Sequence, residues 1–168
     1  MTTYHAQPYS LDATGFYFDN LDDYEAKFEA NKDSFGAPVE EYEIQFIDGA
    51  GAELFKALGI DQSTLKIWFD HAESLDKNEQ AALSYLTGEC LGMSPHDALD
   101  TVDDVCLFEG AIKDYAEEYF DEVYPDLPEA LRHYIDMEAF ARDLDLNGDV
   151  YGFRFGGTDY VVTNHNAL

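Results

Sequence analysis

Five carboxylates, Asp114, Glu117, Glu118, Asp121 and Glu122, fall at offsets 0, 3, 4, 7 and 8 within the segment 110–123. On a helix those offsets share one side. Ile112, Tyr115, Ala116, Tyr119, Phe120 and Val123, at offsets 0, 3, 4, 7, 8 and 11, form a second, apolar stripe. The chemistry open to the acidic side is that of a fixed row of negative charge, accepting charge-assisted hydrogen bonds from Lys and Arg. Lys113 is the one cation in the segment. Like charges one turn apart cost a few tenths of a kcal/mol per pair, and a merely solvated face usually mixes signs. The row covers about 12 Å of axis, one charge per about 2.4 to 3 Å at a rise of about 1.5 Å per residue. Duplex DNA carries one per about 1.7 Å over both strands, or about 3.4 Å on one.

Further acids extend the row. Asp100, Asp103, Asp104 and Glu109 precede it and Asp126 follows. A second group lies near the other end of the chain: Asp19, Asp22, Asp23, Glu25 and Glu29, then Glu40, Glu41, Glu43 and Asp48. All are candidate partner-binding groups standing in for phosphates. An enzyme site concentrates a few groups, whereas a mimic of a polyanion distributes many.

The whole chain follows the same rule: 36 Asp and Glu against 9 Lys and Arg give a formal charge of -27 over 168 residues. Solubility asks for a magnitude of only about 2 to 8 in a small domain, and the excess opposes compaction by self-repulsion. The partner this demands is a large basic surface. Nucleic acid and anionic membrane are excluded as partners, since both require Lys and Arg against phosphate. Disorder is excluded by 15% aromatic and 46% hydrophobic content. A halophile domain with a merely solvating acidic surface is the alternative from another class.

Conventional sites find little support. Asp143-Leu-Asp145-Leu-Asn147-Gly148-Asp149-Val150 follows the opening of an EF-hand loop, but Arg154 stands where the bidentate Glu belongs. His5, His71, His96, His133 and His165 lack metal-ligand spacing. No nucleophile elbow, P-loop or dinucleotide fingerprint occurs. The expectation is a protein that is not an enzyme and has no catalytic residue, metal or cofactor. Cys90 and Cys106 form no CxxC motif and read as reduced core thiols of a cytoplasmic protein. No secretory signal or spanning segment is visible.

The positioning elements are those of an α+β fold. Strands are predicted around Tyr4–Ala6, Phe16–Phe18 and Tyr42–Phe46, with a helix over Leu21–Ala30. Residues 51–100 read as mostly helical and as a spacer. Asp76 and Glu79 have capping-box spacing, and Ser94-Pro95-His96-Asp97 is a helix start. Beyond lie a strand at Val105–Phe108, the acidic helix, a helix over Met137–Leu144 opened by Asp136, and a hairpin about Gly156-Gly157. The expected subdomains are 1–60 (α+β), 61–100 (helical middle) and 101–168 (α+β, with the acidic helix).

The run from Leu127 to Asp149 resembles the C-terminal signature of the ArdA antirestriction proteins. Their pattern is Tyr-Ile/Phe-Asp-x-Glu-x-Phe/Tyr-Ala-Arg-Asp-Leu, three residues, then Gly-Asp. Tyr134, Asp136, Glu138, Phe140, Ala141, Arg142, Asp143, Leu144, Gly148 and Asp149 fit it. Looser similarity covers Asp100–Glu122 and Glu40–Gly49. The opening differs, with Gly15-Phe16-Tyr17 where members often carry Gly-x-Trp. The resemblance implies an elongated homodimer of three small subdomains per chain. It also implies mimicry of B-form DNA and occupation of the DNA-binding groove of type I restriction-modification enzymes. A narrower alternative keeps the mimicry and changes the target to a CRISPR effector or a histone-like DNA binder. Arg142 and Asp143 are expected to be structural or to lie at a dimer contact.

Overall fold

The computed structural model describes residues 2–88 and 90–168. The chain divides into two compact units, Met1–Leu99 and Asp100–Leu168. Each holds one three-stranded antiparallel sheet with helices beside it, the α+β arrangement that the sequence pattern predicts.

In the first unit β1 (Thr3–Pro8) lies between β2 (Phe16–Phe18) and β3 (Tyr42–Asp48). Strand alternation puts Tyr4 and Ala6 on the buried side, with Tyr4 opposite both Phe18 and Phe46. Helix α1 (Leu21–Ala30) starts where Asn20 accepts the Asp23 N–H at 2.9 Å. Helices α2 (Ala52–Ala57), α3 (Leu65–Asp70), α4 (Lys77–Thr87) and α5 (Pro95–Thr101) follow. Asp76 and Glu79 close the capping box at the start of α4, with Glu79 Oε2 accepting the Asp76 N–H at 2.7 Å.

The segment 61–100 does more than space the ends apart. Leu65, Trp68, Leu83 and Leu86 are fully buried, and the Tyr4 ring meets Phe18, Phe46, Phe55, Trp68 and Phe69. The apolar stripe of α3 therefore completes the core over the first sheet.

In the second unit β6 (Thr158–Val162) lies between β4 (Leu107–Glu109) and β5 (Tyr151–Phe155). Gly156 and Gly157, at φ 58° and 80°, make the tight turn that joins β5 to β6. Helices α6 (Ile112–Val123), α7 (Glu129–Arg132) and α8 (Met137–Leu146) accompany the sheet. Ala116, Ala141, Leu144, Val150 and Val161 form one core cluster, flanked by Phe108, Ile112, Tyr115 and Phe140, and Phe120, Phe155, Tyr160 and Val162 are buried as well. Ala116 of α6 and Ala141 of α8 are both buried in that cluster.

Two local expectations need correction, and one short helix joins the expected elements. The strand expected at Val105–Phe108 begins two residues later and is only half-buried, because Val105 closes a 3-10 turn instead. Helix α7 adds a single turn to which no sequence periodicity points. Cys90 and Cys106 are exposed free thiols, not core residues. Helix α4 ends at Thr87, so the periodicity that would bury Cys90 stops before reaching it. Among the described residues no charged side chain is buried, and no helix is long and apolar enough to cross a membrane.

Candidate partner-binding surface

Helix α6 is fixed at its start by backbone geometry. Gly110 has φ 149°, and a Cβ there would lie 2.7 Å from the Phe108 ring. Asp114 then reaches back so that its Oδ2 accepts the Ala111 N–H at 3.0 Å. That contact places a carboxylate at the positive end of the helix. Ala116 and Phe120 are buried and Ile112 and Tyr115 half-buried, whereas Asp114, Glu117, Glu118, Asp121 and Glu122 are all exposed. Desolvation first, then the nearby Tyr119 and Glu122, raise the pKa of the Tyr115 hydroxyl above the ordinary tyrosine value. The apolar stripe is covered for only part of its length: Tyr119 is 36% exposed and Val123 45%.

The five carboxylates are not equivalent. Arg132 of α7 pairs with Asp121 through Nη1, and its Nε lies 3.6 Å from Glu129. Lys113 reaches Glu138 of α8 at 3.2 Å. Glu117, Glu118 and Glu122 make no side-chain hydrogen bond or ion pair among the described residues. The row thus consists of three open carboxylates, one committed to the helix start and one already facing a guanidinium. The pairing of Arg132 is absent from any helical periodicity, because the chain must reverse between Pro125 and Pro128 to bring it about.

The flanking acids Asp100, Asp103, Asp104, Glu109 and Asp126 are also exposed. Asn164 fastens the loop that holds two of them, donating to the Asp104 carbonyl at 2.8 Å and accepting the Cys106 N–H at 2.9 Å.

In the first unit Asp22, Glu25, Glu29, Glu40, Glu41, Glu43 and Asp48 are exposed, and Asp19 and Asp23 are half-buried. Asp23 pairs with Lys27 at 2.7 Å, Asp19 accepts from Thr3 Oγ1 at 3.4 Å, and Glu43 accepts from Gln45 at 3.0 Å. Asp48 turns onto the Gly49 N–H at 2.9 Å. Glu40 and Glu41 line an open cleft of about 540 Å³ with Tyr9, Tyr42, Asp61, Gln62 and Ser63. Asp61 is absent from the sequence-predicted set. Its Oδ1 collects the Ser63 hydroxyl at 2.7 Å and the Ser63 and Thr64 N–H groups at 2.8 and 3.0 Å. The Ser63 hydroxyl foremost holds that carboxyl below the usual range. Asp-x-Ser-Thr is a recognisable turn motif, so the signal was present in the sequence.

The EF-hand lookalike has the wrong backbone. Residues 143–146 form the last turn of α8 rather than a loop. Among the described residues no group of three or more His, Cys, Asp or Glu is arranged to hold a metal ion.

Fold and surface define an acidic α+β protein with exposed carboxylates on both units. The family model described as "Antirestriction protein (ArdA)" matches residues 11–158, and the chain belongs to that family. The match leaves out β1 (Thr3–Pro8). No curated protein matches the chain.

The signature residues divide by role. Asp136 caps α8 by accepting the Ala139 N–H at 2.9 Å, Ala141 and Leu144 are buried, and Phe140 stacks on Tyr119 and meets Phe120 edge-on. Gly148, at φ 72°, ends the helix in a left-handed conformation. Tyr134 is 85% exposed, and Arg142 and Asp143 are exposed as well. Those two lie outside the core and face each other, Arg142 Nη2 to Asp143 Oδ1, at 3.8 Å.

Proposed function

We propose that this antirestriction protein acts without catalysis, as a mimic of B-form DNA that occupies the DNA-binding groove of a type I restriction-modification enzyme. The observation that carries this is the exposed face of α6, where Glu117, Glu118 and Glu122 stand unpaired on a rigid support at a charge spacing close to that of a DNA strand. Lys and Arg that normally contact DNA phosphates are the matching groups on the target. Long-range attraction brings the two together. The carboxylates of the first unit, Asp22, Glu25, Glu29, Glu40 and Glu41 foremost, extend the same chemistry. The reading includes a homodimer acting in the cytoplasm, with residues 1–60, 61–100 and 101–168 as its subdomains.

The test is competition. Labelled duplex DNA bound to a type I methyltransferase core is titrated with the protein at several salt concentrations. Displacement that weakens as salt rises is the expected result. DNA that stays bound at low salt under a large excess of protein sinks the proposal. A parallel titration on a histone-like protein or a CRISPR effector separates the target classes, because phosphate mimicry carries no base information.

A further inference from the structure

Leu11 is fully exposed and Phe35 is 82% exposed, so two of the three most exposed large apolar side chains among the described residues lie in the first unit. They are not scattered. Their turns are joined, the Ser34 N–H donating to the Asp12 carbonyl at 2.8 Å. Each turn is also closed on itself. The Ala13 N–H reaches the Ser10 carbonyl at 3.3 Å, and Asp33 Oδ1 accepts the Phe35 and Ala37 N–H groups at 2.9 and 2.8 Å. Gly36, at φ 83°, lets the second turn double back directly after Phe35. Asn31 ties both turns to the sheet region, its Nδ2 donating to the Thr14 carbonyl at 3.0 Å and to the Tyr42 hydroxyl at 2.8 Å. These bonds hold a leucine and a phenylalanine in water instead of folding them onto the aromatic core nearby. Single exposed apolar residues need no explanation, but a pair presented together on fixed turns marks a contact surface. Alongside lies a hollow of about 250 Å³ whose walls include Tyr9, Asp33, Glu40 and Glu41.

We propose that Leu11 and Phe35 anchor a basic protein partner, entering an apolar pocket on it whose Lys and Arg rim meets the exposed Glu40 and Glu41 beside the hollow. Charge selects this occupant. A second copy would set the same carboxylates against themselves, and an anionic membrane is repelled for the same reason. A partner without cations would desolvate Glu40 and Glu41 with nothing to pair them. The proposal rests on the reading of the protein as a phosphate mimic, and it deepens that reading. Carboxylates alone attract any cationic surface, and the attraction fades as salt rises. An apolar anchor needs a pocket of matching shape, owes nothing to ionic strength and slows dissociation. Because both side chains are already held in place, little ordering is lost when they bind. The pair thus distinguishes one basic surface from another, which phosphate mimicry by itself does not do.

The experiment uses the full chain and two octapeptides of equal charge as probes, one alternating lysine with leucine and the other lysine with serine. The wild type is expected to prefer the lysine–leucine peptide by about 10-fold, the scale of one interface anchor, at every salt concentration. Leu11→Ser combined with Phe35→Ser should melt like wild type and lose that preference. Glu40→Gln combined with Glu41→Gln should keep the preference and weaken both peptides alike. A wild type that binds the two peptides equally overturns the proposal, as does a double serine variant that retains the preference. Should the serine variant fail to fold, the wild-type protein decides. The Leu11 methyl and Phe35 ring signals must shift on saturation with the lysine–leucine peptide and stay in place with the lysine–serine peptide; signals unmoved by the first sink the anchor. Sedimentation tests the rival occupant: a wild-type oligomer that the serine variant cannot form makes the pair a contact between copies and overturns the proposal. On the methyltransferase core, the serine variant should displace DNA about 10-fold less well with an unchanged salt dependence, and displacement equal to wild type also counts against the anchor. Failure of every form to displace DNA, with the peptide preference intact, condemns the mimicry reading and leaves the anchor standing.

Discussion

Trp68 donates its indole N–H to the Tyr4 hydroxyl at 2.6 Å, a buried bond between residues 64 apart in sequence. The hydroxyl in turn reaches Glu73 at 3.2 Å. This relay ties the central strand of the first sheet to α3, and so joins the two halves of the first unit's core. Burial raises the Tyr4 hydroxyl well above the ordinary tyrosine range, which keeps it a neutral donor.

Tyr4→Phe leaves the shape of the core intact and strands the indole N–H of Trp68. An unsatisfied buried donor costs about 1 to 3 kcal/mol. Urea unfolding followed by the fluorescence of Trp68, the only tryptophan in the chain, measures it. A loss below about 0.5 kcal/mol, the low end for a net hydrogen bond, shows that the relay adds little.

Tyr24 presents the opposite case. Its hydroxyl is buried and meets no hydrogen-bond partner among the described residues. Desolvation, with Tyr42 nearby, pushes its pKa up to about 12. Because the folded value is raised, the stabilisation is fully present below about pH 10, the ordinary tyrosine value. It is lost as pH climbs from there through about 12. Tyr24→Phe should therefore leave neutral-pH stability equal or higher, and move the alkaline unfolding midpoint of Trp68 fluorescence upward. An unchanged alkaline midpoint refutes this account.

Local signals carried far in this chain, and long-range pairings did not. Helix α1 was legible at Leu21–Ala30 because Leu21, Tyr24 and Phe28 repeat at helical spacing. Asp136 marked the start of α8, which runs only two residues past its predicted end. The exposure of the acidic row followed from the apolar stripe opposite. What could not be read were relationships between elements. The Tyr4–Trp68 bond and the Arg132–Asp121 pair depend on how distant segments meet, and neither residue type predicts its partner. Helix α7 has four residues, too few for any periodicity to declare itself. Family resemblance at 127–149 identified the chain's affiliation, yet half of the ten signature residues, Asp136, Phe140, Ala141, Leu144 and Gly148, prove to be caps and core rather than open charge.

Gly110 is the hinge on which the acidic helix is set. Its φ of 149° disfavours any L side chain, and a Cβ would strike the Phe108 ring at 2.7 Å. Gly110→Ala should destabilise the second unit by about 1 to 3 kcal/mol, the cost of a residue held in a sparsely populated backbone region. Hydrogen exchange at the α6 amides resolves this unit separately from the first. Protection factors equal to those of the wild type contradict the prediction.

The inequality among the five carboxylates of α6 leads to effects of opposite sign. Asp114 accepts the Ala111 N–H at 3.0 Å near the positive end of the helix, so Asp114→Asn should cost about 0.3 to 1 kcal/mol of stability with little loss of inhibition. Glu117, Glu118 and Glu122 have no such partner and repel one another and their neighbours. Replacing all three with Gln should leave stability unchanged or raise it by a few tenths of a kcal/mol per relieved pair. The same triple variant should nevertheless displace DNA from a methyltransferase core far less well than any single Gln replacement does. Its competition curve should also depend less on salt, because fewer charges meet the target's cations. Replacing Asp114 and Asp121 as well should add comparatively little further loss. A triple variant that stays folded and competes as wild type does removes α6 from the binding surface and transfers the role to the first unit.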